Sequence, residues 1–347
     1  MTVAKPPSLT LIIPGLTGFS ATQWQEVKSH LPALPSLSRL LCRSRRISHS
    51  TSGYEAILAR KFGLPPNQAL PSAALTYWHD KGQPPAKAML RADPVYIKVD
   101  RDSLYLLGRD ALQVTLEEAR SIAAQINQLY TDTSWSLEVG SAERWYVSCE
   151  ENFNIHTFSV TEVFGKNINT FLPQGAGGNK WRAVLNEIQM LLHNSEVNLQ
   201  REINRRLPIN SVWLWGEGDL PQRPVNRANA IDHVWSNDSL CRGLAHWAKC
   251  PGHDLPSTFS EWSEQNQTAR HLMVFDDMRT LVGEDFASWR CKLVELEENW
   301  FAPLQAAVES HRLQLDIESE NGLTFECKPT LWNKWWPKKR PWHDWFQ

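Results

Sequence analysis

The feature that most constrains this chain of 347 residues is an apolar run that stops at a glycine-rich turn. Ser8 to Ile13 has the pattern of a buried strand, and the following segment, Pro14 to Gly18, contains a proline and two glycines. A buried strand followed by such a turn is typical of α/β sheets, in which active sites lie at these turns. The sequence therefore predicts an α/β protein whose first loop belongs to a functional site.

Composition and charge exclude several classes of protein. Apolar residues make up 42% of the chain and charged residues 21%, which argues against extensive disorder. The formal net charge of -2 gives no electrostatic basis for nucleic acid as a partner. Pro14 interrupts the first apolar run before it reaches the length of a signal-peptide core, and no run approaches the roughly 20 apolar residues that cross a bilayer. Six cysteines without a CxxC pair fit reduced thiols, so we expect a cytoplasmic protein.

The middle of the chain has a strand and helix pattern of its own, which predicts an inserted domain. Val95–Val99 and Leu104–Leu107 have the pattern of paired strands, and Thr115 begins a helix with the capping-box sequence Thr-Leu-Glu-Glu. An amphipathic helix at Asn179–His193 and a buried strand at Ser211–Trp215 follow. We therefore predict a core formed by residues 1–92 and 209–330, an inserted α/β domain at 93–208, and a tail at 331–347.

Two motifs in the second half of the chain carry a resemblance to a known family. His193 to Arg201 reads HNSEVNLQR, and Asn210 to Gly218 reads NSVWLWGEG. The pair resembles the archaeal-type cofactor-independent phosphoglycerate mutases of the alkaline phosphatase superfamily, in which His-Pro-x-Asn-x-x-Arg precedes Ala-Asn-x-x-Trp-x-Trp-Gly-x-Gly. Weaker similarity covers most of the chain, including LIIPGL at 11–16 and LPSLSRL at 34–40. The resemblance implies an alkaline-phosphatase-like core sheet flanked by helices, with an inserted smaller α/β domain.

Three further patterns are similar to those of one bacterial subgroup of that family, the RpfE-type regulatory proteins. They are ADPVYI at 92–97, LPQG at 172–175 and LNEIQMLLH at 185–193. This likeness implies a regulatory role.

The family resemblance also implies where metal ligands should stand, and three of those places have changed. Family enzymes use two divalent metals, held by Asp and His side chains, to activate a Ser or Thr nucleophile. Pro14 stands where the first-strand turn should carry an Asp, and Thr280 and Glu284 stand where a late motif should carry an Asp and a His. A Pro-His-Asp element is missing from Phe158–Gly165. We therefore expect no cofactor, and expect manganese or zinc only if other residues rebuild the site.

The nucleophile and the ligand-binding groups can be assigned only as candidates. Ser72 falls near the expected nucleophile, but Ala73 replaces the Asp that should follow it, and a serine without metal or base stays protonated. Arginines grip phosphate or carboxylate bidentately, so a small phosphorylated or carboxylate ligand is the predicted partner. The candidate ligand-binding residues are Arg201, Asn198 and Trp215 in the shared motifs, with Arg91, Arg144 and Arg182 as added guanidinium groups.

Two other clusters contain the side chains that bind metals. An acidic cluster suits one hard cation but is more typical of a solvated loop. A cysteine and histidine cluster suggests zinc, although its spacing matches no standard zinc motif and fits a core helix and a strand end. The acidic residues are Asp276, Asp277, Glu284 and Asp285, and the others are Cys241, His246, Cys250 and His253.

The tail at 331–347 interleaves tryptophans with basic residues. Such a pattern predicts either a protein or membrane partner or a segment that packs back over the core. The lost metal ligands favour a non-catalytic relative of the mutases that acts by ligand or protein binding, with regulation implied by the subgroup likeness. Two alternatives stay open: an active metal-dependent mutase or phosphotransferase with atypical ligands, and a structural interaction module that uses the Trp-rich tail.

Overall fold

The computed structural model describes residues 6–17, 24, 26–100, 103–107, 109–163, 166–223, 231–265, 269–281, 286–328 and 340–346. The chain divides into two compact units. Residues 1–69 and 223–347 form one, which we call the core unit, and residues 70–222 form the other, which we call the inserted unit.

The described part of the first segment of the core unit includes two strands, two α-helices and a 3-10 turn at Lys28–His30. Pro35 suits the first turn of a helix because that turn does not need its missing N–H, and Leu37, Leu40 and Leu41 on this helix are buried. The elements are β1 (Ser8–Ile12), α1 (Pro35–Cys42), β2 (Arg45–Ser48) and α2 (Tyr54–Phe62).

The inserted unit is built on a five-stranded antiparallel sheet in the order β4-β3-β6-β5, with β7 paired to β3. Thr115 and Glu118 form the predicted capping box at the start of its first long helix. The elements are α3 (Ser72–Lys81), β3 (Ala88–Asp100), β4 (Ser103–Leu107), α4 (Arg109–Leu112), α5 (Leu116–Leu129), β5 (Trp135–Ser141), β6 (Arg144–Cys149), α6 (Val160–Val163), α7 (Gly178–His193), α8 (Glu196–Ile203) and β7 (Ser211–Gly218).

The last segment completes the core unit and its seven-stranded sheet, in the order β2-β12-β11-β1-β10-β8-β9. Strands β11, β1, β10, β8 and β9 run parallel, β12 pairs antiparallel with β11, and the edge strand β2 pairs antiparallel with β12. The elements are β8 (His233–Ser236), α9 (Ser239–Ala248), β9 (Gly252–His253), α10 (Phe259–Gln265), β10 (Arg270–Val274), α11 (Asp277–Leu281), α12 (Phe286–Leu296), a π-helical turn (Glu297–Phe301), α13 (Ala302–Glu309), β11 (Gln314–Ser319) and β12 (Leu323–Cys327).

The predicted α/β class is confirmed, and the contacts divide the chain at other places than the sequence suggested. Residues 70–222 group together, whereas the inserted domain was expected at 93–208. The reason is that β3 pairs with both β6 and β7 in one sheet and α3 packs on β3 and β7, so the three elements cannot be separated. None of the helices in the described part of the chain combines the length and the apolar character that a bilayer crossing needs.

The described end of the tail, Arg340–Phe346, packs against the core unit. Trp342 is buried in the core cluster, and its Nε1 donates a hydrogen bond to the carbonyl of Pro32 at 3.1 Å. Phe346 is also buried, and Asp344 pairs with Lys28 at 3.1 Å. Residues 331–339 lie outside the described residues, so a partner bound through that part of the tail stays a prediction.

Candidate functional site

Four parallel strands of the core unit end at the same edge of the sheet, and each is followed by a residue that carries or contacts a polar group. Gly15 follows β1, Asp238 follows β8, Asp276 follows β10 and Glu320 follows β11. Open α/β sheets bind ligands outside the carboxyl ends of their parallel strands. This edge of the sheet is therefore the candidate site.

The turn after β1 packs directly on helix α11. Gly15 has a φ of 85°, and a Cβ atom there would lie 2.6 Å from the carbonyl oxygen of Met278 and 2.9 Å from the Cα of Arg279. The Gly15 N–H donates to Glu320 Oε2 at 2.6 Å, and its carbonyl accepts a hydrogen bond from Trp289 Nε1 at 3.1 Å. The turn after β1 therefore packs against the helix residues that directly precede Thr280.

Arg279 places a positive charge at this edge. Its guanidinium carbon lies 5.0 Å from the centroid of the Tyr54 ring, and the Tyr54 hydroxyl donates to Asp238 Oδ1 at 2.8 Å. Burial alone would lower the pKa of Arg279, but Asp238, Tyr54, Glu320 and Asp276 raise it above its ordinary value. The guanidinium is therefore a permanent cation.

Two carboxyl groups near Arg279, those of Asp276 and Glu320, have pKa values above their ordinary values. Burial and the nearby charges of Asp238 and Asp277 raise the pKa of Asp276 to about 6, and its Oδ1 is buried without a hydrogen-bond partner among the described residues. Burial raises the pKa of Glu320, although the Gly15 N–H and Arg279 act in the opposite direction. Arg279 opposes this rise at both carboxyl groups, because its positive charge favours their ionised forms.

The donors at this edge do not fit a pair of divalent metals. Asp238 already accepts from Tyr54 and from the N–H of Cys241 at 2.8 Å, and Glu320 accepts from Gly15. A metal ion would also be repelled by Arg279. Within the described residues, no three His, Cys, Asp or Glu side chains lie close enough to hold a metal, which includes the cysteine and histidine cluster around Cys241.

The four acidic metal candidates do not form one group that the structure describes. Asp276 lies in the cluster above, and Asp277 pairs with Lys292 at 3.4 Å. Glu284 and Asp285 lie outside the described residues. A cation site formed by all four stays a prediction.

In the inserted unit, Arg91 and Trp215 share one buried acceptor. Arg91 donates to both oxygens of Asp93, at 2.8 and 2.7 Å, and to Thr76 Oγ1 at 3.2 Å. Trp215 Nε1 donates to Asp93 Oδ2 at 2.8 Å, and its ring centroid lies 4.9 Å from the guanidinium carbon. Because these groups are buried and satisfy one another, they hold β3 to β7.

Arg201 and Asn198, the motif residues on α8, make hydrogen bonds inside the inserted unit. Arg201 is buried and donates to Glu118 at 2.8 Å and to the carbonyls of Leu207, at 2.7 Å, and Leu112. Asn198 exchanges two hydrogen bonds of 2.8 Å with the backbone of Ile209 and donates to the carbonyl of Leu192 at 2.7 Å. The shared motif therefore fixes the connection from α8 to β7.

Arg144 and Arg182 are also engaged within this unit. Arg144 forms a two-bond ion pair with Asp80, at 2.9 and 2.8 Å, and the Tyr146 hydroxyl donates to the same carboxylate at 2.7 Å. Arg182 donates to the carbonyl of Pro173 at 2.9 Å. Ligand binding by these side chains would require that they exchange these partners.

Ser72 begins helix α3 and is buried. Its hydroxyl donates to the carbonyl of Leu70 at 3.3 Å, and a Cβ atom at Gly216 would lie 3.1 Å from the Ser72 Cβ. A nucleophilic serine needs a base that takes its proton or a metal that lowers the pKa of its hydroxyl, and a backbone carbonyl is neither. Its role as a nucleophile stays a prediction.

Comparison with known proteins supports the resemblance in sequence. No family model matches the chain. The chain is 26% identical over 111 residues to the 2,3-bisphosphoglycerate-independent phosphoglycerate mutase of Methanosarcina barkeri, and this match covers 31% of the chain and 28% of that protein. It is 33% identical over 96 residues to a probable enzyme of the same name from Geobacter sulfurreducens, covering 27% and 23%. The chain is a relative of the cofactor-independent phosphoglycerate mutases. The matches span about a quarter of the length of these enzymes.

One solved structure shares the fold of this chain. The PH0037 protein of Pyrococcus horikoshii aligns with 94% of the chain and 88% of its own length, at a TM-score of 0.58 and 10% identity. The cofactor-independent phosphoglycerate mutase of Thermoplasma acidophilum aligns with 93% of the chain and 90% of its own length, at a TM-score of 0.47 and 14% identity. The first of these carries the fold assignment. The regulatory subgroup stays a prediction.

Sequence reasoning missed the groups that meet at the strand ends of this mutase relative: Tyr54, Asp238, Arg279 and Glu320. A signal was available for two of them, because Asp238 and Glu320 come one or two residues after buried strands. Tyr54 and Arg279 stand on helices far apart in sequence, and only the folded chain brings them together.

A groove in the inserted unit was also missed. Its cavity volume is about 730 Å³, and Val99 and Leu199, which line it, are 69% and 49% exposed. Met190 and Ile203 are each 72% exposed, and Met190 lines a second hollow that shares Gln189 and His193 with the groove. The remaining lining residues are Tyr96, Ile97, Leu104, Asn198, Glu202, Arg205, Arg206, Pro208 and Asn210.

Proposed function

We propose that this mutase relative is a non-catalytic protein that acts in regulation by binding a partner. The observation that carries the proposal is Arg279, a permanent cation on the helix that packs against the turn after β1, near carboxylates of which Asp238 and Glu320 already accept hydrogen bonds. Phosphoryl transfer in this family depends on metals that clamp the phosphoryl group and activate the nucleophile. A donor set that does not fit those metals supports a protein without that chemistry.

A mutase assay tests the non-catalytic part. The purified protein is given 3-phosphoglycerate with manganese, zinc or magnesium, and conversion to 2-phosphoglycerate is followed beside the Ser72→Ala variant. We expect the same background rate in both proteins, because Ser72 has neither metal nor base. Metal-dependent turnover that Ser72→Ala abolishes would establish the alternative, an active mutase with atypical ligands.

We propose that the groove of the inserted unit is the binding surface, and that its partner is a protein segment with apolar side chains and an acidic residue. Exposed aliphatic side chains gathered around a groove are typical of interaction sites. Arg205 at the rim is exposed and makes no ion pair with a described residue, so it is available to a carboxylate. The arginines at 91, 144 and 201 are already paired, which leaves Arg205 as the better candidate.

Selection from a random peptide library tests this surface. We expect enriched peptides that combine apolar residues with Asp or Glu, whose affinity falls at least tenfold in Leu199→Asp and more modestly in Arg205→Glu. Leu129→Asp is the control, because Leu129 is also an exposed leucine of the inserted unit but does not line the groove. Failure to enrich any peptide, or binding that Leu199→Asp leaves unchanged, would contradict the assignment.

A further inference from the structure

Asp238, Asp276 and Glu320 each follow a parallel strand of the core unit, and a positive charge stabilises carboxylates at such an edge. In the enzymes that this chain resembles, metals supply that charge. We infer that the guanidinium of Arg279 replaces the metals as a built-in cation, which keeps the strand ends together and makes the fold independent of metal. The inference rests on the proposed non-catalytic function, and goes further by assigning the replacement of the metals to one side chain.

The position of Arg279 is fixed by backbone packing rather than by a flexible contact. A Cβ atom on Gly15 would lie only 2.9 Å from the Cα of Arg279, so the arginine side chain begins at the turn after β1. Its guanidinium then reaches the Tyr54 ring at 5.0 Å, beside the hydroxyl that donates to Asp238. One side chain therefore connects the ends of β1 and β8.

The guanidinium acts on several carboxyl groups at once. Among the described residues it makes no direct ion pair, yet Asp238, Glu320 and Asp276 all lie near enough to stabilise its charged form. A cation shared by several carboxylates resembles a metal ion in its electrostatic effect, although it forms no coordination bonds. The competing explanation is that Arg279 only stacks on Tyr54 and fills space.

A double-mutant cycle separates charge from stacking. Arg279→Met removes the charge and keeps a long apolar stem, and Asp238→Asn removes one carboxylate. Asparagine is also a good N-cap, so it can still accept from the Cys241 N–H and from Tyr54. We expect Arg279→Met to lower Tm by about 5 °C or more, and Asp238→Asn to restore at least half of the loss in the double variant. Arg279→Lys keeps a cation and should lose less.

The control pair is Arg270 and Asp232, in the same unit at the amino end of β10. Their side chains form a direct ion pair of 3.0 Å but are 45% and 40% exposed. The cycle with Arg270→Met and Asp232→Asn should show coupling of no more than about 1 °C, because exposed ion pairs contribute little. Coupling is thus expected to be larger at Arg279, where no direct ion pair with a described residue exists, than at a pair in contact.

An unchanged Tm in Arg279→Met would overturn the inference, and so would a loss that Asp238→Asn does not reduce. If Arg279→Met does not fold, the double variant must fold; failure of both, with Arg279→Lys folded, also contradicts it. A Tm that rises with manganese or zinc in the unmodified protein, and falls with EDTA, would also overturn the inference, whereas metal-dependent mutase turnover would refute the proposed non-catalytic function. The two failures are therefore distinguishable.

Discussion

Two arginines in this molecule lie among acidic side chains, and they differ in how completely they are paired. Arg91 in the inserted unit is buried. It donates hydrogen bonds to both carboxylate oxygens of Asp93 and to Thr76, and its guanidinium lies over the Trp215 ring. Arg279 in the core unit lies near three carboxyl groups and makes no direct ion pair with a described residue. The first arrangement is typical of a structural link, and the second of a charge placed at a site. Pairing, rather than residue type, distinguishes the two.

The largest effect is expected where pairing is complete. Arg91→Met leaves the Asp93 carboxylate buried without its cation, so we expect a loss of about 3 to 5 kcal/mol in the free energy of unfolding by urea. Adding Asp93→Asn should recover part of it. A loss below about 1 kcal/mol would show that the buried ion pair of Arg91 and Asp93 contributes little to stability. The contrast with Arg279 would then disappear.

The next largest loss of stability is expected for a substitution in the core unit. Trp342 is buried against Trp289, whose Nε1 holds the Gly15 carbonyl, so Trp342→Ala should cost about 3 kcal/mol or more in the same measurement. Trp345→Ala serves as the control because Trp345 is only partly buried and should lose less. Equal losses would mean that the end of the tail does not support the turn after β1.

A smaller effect is expected for the family motif on α8. Asn198→Ala leaves the Ile209 N–H and two carbonyls without their buried partner, which should cost about 2 kcal/mol. Asn204→Ala, at the exposed end of the same helix, removes one surface hydrogen bond and should cost less than about 0.5 kcal/mol. If Asn198→Ala were as mild as Asn204→Ala, the motif would not be structural.

The smallest effect concerns the opposite end of the core sheet, where His271 lies on β10. Burial, with the nearby His233, lowers the pKa of His271 from 6.5 to about 4. Between these values the unfolded chain binds a proton that the native state does not, so stability present above pH 6.5 should fall as the pH approaches 4, by about 1 to 2 kcal/mol.

The variant His271→Phe should flatten that pH dependence, and His30→Gln, which changes an exposed histidine of the same unit, should not. Urea unfolding measured from pH 7.5 to 4 makes the comparison. Equal slopes in His271→Phe and the unmodified protein would show that another group causes the loss.

Local features were predictable from the sequence because a few neighbouring residues determine them. The apolar run from Ser8 gave β1, and Thr115 with Glu118 gave a capped helix. The motif from His193 to Gly218 indicated the mutase family, which the sequence comparison supports.

Contacts between distant parts of the chain were not predictable from local patterns. The sequence does not show that Arg144 pairs with Asp80 or that Arg201 pairs with Glu118. Both arginines were therefore candidates for ligand binding. Arg279 lies near both Tyr54 and Glu320, and no periodicity in the sequence predicts that these residues are close to one another. The helical stretch from Phe286 to Glu309 contains a π-helical turn just before Pro303, a residue without an N–H to donate.

Metal content is the most direct test of the central claim, that a guanidinium stands in place of the metal centre. The protein is purified without chelator, in parallel with samples supplemented with manganese and with zinc, and analysed for bound metal after dialysis. We expect well below one equivalent of bound metal in every sample. Two equivalents of tightly bound metal would contradict it and would direct attention to mutase activity.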